Sequence, residues 1–200
     1  MNTIIGHTVY NGYTAQQHND FFNVFKKFLT DIKPSRILEI GTAGGGFILA
    51  IREILNEIGL NYVPIKSFEV INQTFYDELR NKNIDIIIDN IFDHSYLNLI
   101  KHESIVPYIQ SEGITLVFCD GGHKIGEFNS IAPHIKKGDF IMAHDYIDTW
   151  ENYKLNYVDK IWDWCEIEEK YISEVSQKEN LEFYNKEEFD KIVWVCKVKK

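Results

Sequence analysis

Four side chains in the second half of the chain have types and spacings suited to acid–base or metal chemistry. They are Asp120 and His123, in Cys119-Asp120-Gly121-Gly122-His123, and the neighbours His144 and Asp145. Asp120 closes the apolar run from Ile114 to Cys119, and His144-Asp145 closes Phe140-Ile141-Met142-Ala143, so each group stands where a buried strand ends. In an open parallel sheet the carboxyl ends of the strands form the edge where ligands bind, which puts all four on one rim. Two or three oxygen or nitrogen ligands on adjacent strand ends suit a divalent cation, and Asp120, His144 and Asp145 supply them. A hydroxyl bound to such an ion loses its proton more easily, and His123, titrating near neutrality, is a natural base. Two alternatives stay open: strand-end polar groups satisfied by their neighbours, and a metal-free site in which His144 is an acid, a base or a substrate ligand.

A second stretch could position a cofactor beside that rim. Arg36-Ile37-Leu38-Glu39-Ile40 is apolar enough for a strand buried on both faces, Gly41 allows a sharp turn, and helical spacing resumes near Phe47. Gly44, Gly45 and Gly46 leave the backbone bare, so a ligand can reach main-chain N–H groups at a helix N-terminus. The glycines read G-x-x-G-G-G and not G-x-G-x-x-G, which disfavours a dinucleotide-dependent oxidoreductase. A second strand, Pro64 to Val70, carries Glu69 about 20 residues or somewhat more beyond the loop, where nucleotide-binding sheets place a carboxylate for ribose hydroxyls. A plain strand-to-helix turn and a solvent-facing acid are the bland readings of these two features.

The E-x-G-x-x-x-G pattern from Glu39 resembles the first motif of class I S-adenosylmethionine (SAM) methyltransferases. Asp-x-x-His after the fourth strand, with polar ligands at the end of the fifth after Lys137-Gly138, is similar to cation-dependent O-methyltransferases of the cephalosporin-hydroxylase-like and macrolide-sugar type; catechol methyltransferases have a cognate arrangement. The resemblance implies a Rossmann-like α/β fold: a seven-stranded, mostly parallel sheet with helices on both faces and a C-terminal antiparallel hairpin. It implies that Glu39, Gly41, Thr42, Gly44, Glu69, Asn90, Ile91 and Asp120 hold SAM. Asp120, His144 and Asp145 would bind the metal, and His123 would be the catalytic base. His144 replaces an acid usual at its position, which moves the site from Mg²⁺ toward Mn²⁺.

The elements that must position these groups follow from periodicity. Residues 1–15 read as an arm or loop, whose Tyr10 and Tyr13 are loop aromatics or a substrate lid. Asn19-Asp20 offer caps for a helix striped with Phe21, Phe25, Phe28, Leu29 and Ile32, ended by Pro34. A second helix runs from Phe47 to Ile58, a short one covers Phe75 to Leu79, and a third strand spans Ile84 to Ile88. Residues 94–112 read as helix broken at Pro107, and another helix runs from about Gly126 to Ile135. Beyond Asp145 comes a long amphipathic stretch containing Trp150, Trp162 and Tyr171, then strands Leu181 to Tyr184 and Ile192 to Val198. Trp150 and Tyr146 lie near enough to the rim to touch substrate.

Composition narrows the function. At 200 residues one domain is expected, with residues 1–33 as arm and helix and 34–200 as the core. A hydrophobic fraction of 44% excludes a mainly disordered chain, and no apolar run approaches the ~20 residues that span a bilayer. The net charge of −9 argues against nucleic acid, and the Lys197-Val198-Lys199-Lys200 tail reads as a solvated terminus. Met1 to Ile5 show no signal-peptide core, so a cytoplasmic setting is expected. Cys119, Cys165 and Cys196 lack metal or disulfide spacing, and the first and last read as core residues. The expected activity is SAM-dependent O-methylation of a hydroxyl on a sugar or other small molecule. Its rivals are a metal-independent methyltransferase acting on nitrogen or a macromolecule, and a binding protein that keeps the fold. The oligomeric state, a homo-oligomer among the options, is left open.

Overall fold

The computed structural model describes residues 8–93 and 100–200. Its centre is a seven-stranded sheet made of β1 (Arg36–Ile40), β2 (Ile65–Glu69), β3 (Ile84–Ile88), β4 (Thr115–Cys119), β5 (Phe140–His144), β6 (Leu181–Phe183) and β7 (Trp194–Lys199). The spatial order is β6-β7-β5-β4-β1-β2-β3. The first five strands are mutually parallel; β7 runs antiparallel to β5, and β6 antiparallel to β7. Order reverses between β1 and β4, the switch point where such sheets open a crevice at their carboxyl edge. β1, β4 and β5 are buried along their whole length because helices cover both faces.

On one face, α1 (Phe21–Ile32) lays its predicted stripe against α2 (Gly46–Glu57). Phe25 there meets Phe28, Phe47, Phe118, Phe189 and Trp194 at ring separations of 5.3–6.4 Å. Asp20 makes no side-chain cap; the helix ends at Lys33, whose left-handed backbone sends its N–H to the Leu29 carbonyl just before Pro34. The short α3 (Tyr76–Arg80) packs beside β3. The other face is covered by α4 (Ile105–Gln110), α5 (Lys124–Ile131) and α7 (Ser173–Lys178). Cys119 and Cys196 are buried, and burial pushes both thiols well above the usual range.

Several sequence expectations shift. Pro107 does not break α4: it is the third helical residue, in a first turn whose N–H groups have no helical acceptor to lose. The predicted helix from residue 94 lies outside the described residues up to 99. α5 begins two residues earlier than expected, at Lys124, and passes into a 3₁₀ turn at Ala132. The stretch after Asp145 keeps only α6 (Trp150–Asn156), followed by turns and a two-residue strand, Ile167–Glu168, beside Tyr146–Ile147. The lysine tail is solvated only at Lys200: Lys197 is buried on Glu169 at 2.6 Å, and Lys199 pairs with Glu179 at 2.9 Å. Among the described residues no helix is long and apolar enough to cross a membrane.

Candidate active site

A cleft runs along the carboxyl edge of β2, β1, β4 and β5. Its outer half is lined by Phe68, Glu69, Asn90, Ile91 and Glu127, its inner half by Phe47, His144, Asp145, Trp162 and Glu166. Gly41, Ala43, Gln16, Asp120 and Lys124 line both halves and join them.

The glycine loop follows Ile40 as expected, but its glycines serve packing. Gly41 has φ +93°, and a Cβ there would lie 2.4 Å from the Asp120 carbonyl, so glycine lets the two strand ends meet. A Cβ on Gly44 would lie 2.4 Å from the Thr14 carbonyl, and one on Gly46 2.5 Å from that of Tyr13. The bare faces therefore seat the arm, a small hairpin of Val9–Tyr10 and Tyr13–Thr14. Tyr10 and Tyr13 pin that arm by donating to Glu53 and Glu78. Glu69 stands at the β2 end and lines the cleft, its Oε2 accepting the Ala43 N–H at 2.8 Å and its Oε1 the Val70 and Ile71 N–H groups at 2.8 and 3.3 Å. Glu39 does not reach the cleft. It is buried beneath the loop, accepting from the Ser67 hydroxyl, which contacts Thr42; burial pushes its carboxyl well above the usual range, against the Ser67 hydrogen bond. Thr42 is buried but contributes to the inner wall.

The rim assembles from β4 and β5. Adjacent residues of a strand point to opposite faces, yet His144 and Asp145 both face the cleft because Asp145 turns left-handed at φ +56°. Asp tolerates that region better than most residues. One ligand atom from each of Asp120, His144 and Asp145 lies within 4.8 Å of the others. His144 Nδ1 is 3.2 Å from Asp120 Oδ1 and 3.6 Å from Asp145 Oδ1, while its Nε2 is buried with no hydrogen-bond partner among the described residues. Trp162 Nε1 donates to Asp145 Oδ1 at 2.6 Å, and Gln17 Nε2 to Asp120 Oδ2 at 3.1 Å. Gln17 is itself held by Trp194 Nε1 at 2.8 Å. Lys124, almost fully buried, places its ammonium 3.1 Å from Asp145 Oδ2 and 2.6 Å from Glu166 Oε2.

The electrostatics follow from these contacts. Burial pulls the His144 ring down, but Asp145 and Asp120 outweigh it and its pKa ends above the ordinary value. Burial raises the Asp145 carboxyl, but His144, Lys124 and Trp162 bring it below the usual range. Burial opposes the Lys124 charge, and Asp120, Asp145 and Glu166 more than restore it. Glu127, buried under the Asp120 loop and accepting the N–H groups of Gly121 and His123, is pushed by burial up to about 7.

His123 is not where the spacing suggested. It is exposed outside the cleft and caps α5, its Nδ1 accepting the Gly126 N–H at 2.8 Å. Tyr146 is buried and donates to Glu169, and Trp150 lies on a separate groove with Glu168 and Tyr171. Gln17, Lys124 and Glu166 carry no motif or periodic signal in the sequence, and Trp162, read there as part of an amphipathic stretch, turns its indole N–H to the rim.

No protein-family model matches the chain, and no curated protein matches it at a significant level. Solved structures do. CmcI with Mg and SAM aligns with a TM-score of 0.60 at 15% identity, over 96% of this chain and 77% of that one. Apo CmcI gives 0.59 at 12% identity, over 96% and 76%. A Staphylococcus aureus protein assigned as a caffeoyl-CoA O-methyltransferase gives 0.53 at 13%, over 90% and 82%. At these identities the likeness shows the fold, which this chain shares with those proteins.

Proposed function

We propose that the chain is a SAM-dependent methyltransferase acting on a hydroxyl of a small molecule, with a divalent cation at Asp120, His144 and Asp145. The observation that carries this reading is one cleft in which a strand-end carboxylate, Glu69, and a carboxylate–imidazole rim share Gly41, Ala43 and Asp120. The fold it shares with CmcI, solved with Mg and SAM, supports it.

The residues fit both groups. For SAM, Glu69 has lone pairs for ribose hydroxyls, and Asn90, Ile91 and Phe68 form a partly apolar wall for a base. SAM, when bound, would supply a methyl carbon on a sulfonium, with the thioether as its leaving group. For the cation, the donor set is two carboxylates and an imidazole whose Nδ1 lies 3.2 Å from Asp120 and 3.6 Å from Asp145, a mixture that suits Mn²⁺ better than Mg²⁺. A divalent cation would lower the pKa of a hydroxyl bound to it.

The protein's own contribution is placement. Gly41 brings the two halves of the cleft together, Trp162 and Gln17 hold the carboxylates, and Trp162 and Trp194 pack on the His144 ring, with Phe47 stacked behind Trp194. Glu39 supports the loop from below. His123 enters as the cap that fixes the Asp120 loop. The acidic chain, at −9, favours a small acceptor over a nucleic acid.

A second reading keeps methyl transfer without a cation. Nδ1 of His144 on Asp120 leaves Nε2 as the ring's acceptor, and Lys124 already supplies positive charge. Calorimetric titration of S-adenosylhomocysteine tests the cofactor, with micromolar binding (about −8 kcal/mol) expected. Repeating transfer of labelled methyl to hydroxylated acceptors after chelation separates the readings: activity lost with chelator and restored by Mn²⁺ supports the first, and indifference supports the second. No nucleoside binding sinks both.

A further inference from the structure

Every oxygen of the two rim carboxylates already faces an N–H donor. Asp120 Oδ1 faces His144, Asp120 Oδ2 faces Gln17, Asp145 Oδ1 faces Trp162, and Asp145 Oδ2 faces the Lys124 ammonium at 3.1 Å. Lys124 Nζ is also 3.7 Å from Asp120 Oδ1, and its side chain is only 6% exposed. Two neighbouring, largely buried carboxylates repel, and a cation between them relieves the repulsion. Lys124 places one there.

A divalent ion needs the same oxygens at about 2.0–2.2 Å, far inside the ammonium's contact distance. A monovalent charge left beside Asp145 would also repel it. The ammonium therefore has to leave Asp145 as the ion arrives. It has somewhere to go. Its shortest ion pair, 2.6 Å, is with Glu166 Oε2, whose side chain is 45% exposed and belongs to neither rim strand. The four-carbon stem, rooted at the first residue of α5, can swing by rotamer change alone.

We propose that Lys124 is a resident counter-cation that competes with the divalent ion for Asp120 and Asp145, with Glu166 as the seat it withdraws to. The proposal rests on the metal reading above. It makes Lys124 and Glu166 a pair with opposite effects on metal affinity, although neither ligates the ion.

Mn²⁺ is titrated into wild-type protein, Lys124→Met, Glu166→Gln and the double variant, with free ion followed by its paramagnetic resonance signal. Met keeps the stem and removes the charge. Lys124→Met is expected to tighten Mn²⁺ binding roughly tenfold or more, because a buried competing charge is gone. Glu166→Gln is expected to weaken it severalfold, by leaving the ammonium only the rim carboxylates and the Gly121 carbonyl. In the Lys124→Met background the Glu166→Gln effect should largely vanish, which a direct pull of Glu166 on the ion would not produce. Equal affinity in wild type and Lys124→Met overturns the competition while leaving the metal site standing. Absence of Mn²⁺ binding in every variant overturns both. If Lys124→Met fails to fold, Glu166→Gln decides alone, and unchanged or tighter binding refutes the proposal. Titration of S-adenosylhomocysteine into the same proteins reports the cofactor reading separately.

Discussion

At the scale of single residues, the site depends on backbone positions that composition does not display. Asp145 at φ +56° is the hinge that turns two consecutive side chains into one cleft. Gly41 is the point where β1 and β4 touch, and Gly41→Ala would set a Cβ 2.4 Å from a carbonyl in a conformation that L-residues avoid. That strain is expected to cost about 1–3 kcal/mol, with a matching fall in Tm and weaker S-adenosylhomocysteine binding; an unchanged melting curve would contradict the geometry. Glu127 gives a pH signature. Its folded pKa is raised from 4.5 to about 7, so its contribution to stability is full below 4.5 and is lost as pH rises through 7. The difference in unfolding free energy between wild type and Glu127→Gln should therefore change by about 3 kcal/mol between those limits, read from denaturant melts at stepped pH. His123→Asn separates cap from base: Asn caps well, so stability and turnover should both persist, and a turnover loss of about 10²-fold or more would return the base to His123.

At the scale of elements, the sheet was legible where burial is two-sided. Runs such as Leu116 to Cys119 and Ile141 to Ala143 read as strands buried on both faces, and their alternation with helices points to a mostly parallel sheet. The trio Asp120, His144 and Asp145 was legible for the same reason, since strand ends fix position without needing side-chain detail. What periodicity could not give are contacts made across long sequence separation. Gln17 meets Asp120 from the arm, Trp162 meets Asp145 from a turn, and the loop glycines face Thr14 and Tyr13. The same glycine pattern would serve a ligand or a neighbouring chain segment equally well, and only packing distinguishes them. This assigns the arm a testable role. Gly44→Ala is expected to push Thr14 away and free residues 8–17, raising their amide hydrogen exchange while β4 and β5 stay protected. Exchange that stays low throughout the arm would mean that something other than this glycine contact anchors it.

At the scale of the whole molecule, the cleft is where separate parts of the fold converge. The arm brings Gln16 and Gln17, β1 brings Gly41, β2 brings Glu69, β4 brings Asp120, β5 brings His144, and the turn beyond α6 brings Trp162. Each face of the sheet buries its own apolar cluster, and the ligand edge is where the two faces meet. A ligand filling the cleft should therefore stabilise the chain globally and not one loop. At a concentration of S-adenosylhomocysteine 100 times its Kd, linkage gives about 2.7 kcal/mol, which for a chain of this size is a rise in Tm of roughly 5–11 °C. Mn²⁺ should add a separate increment that disappears in Asp120→Ala, whereas the nucleoside increment should survive in part, because Glu69 and Asn90 lie in the other half. If the two increments rise and fall together in every variant, the halves are not independent subsites and the cleft holds a single ligand of another kind.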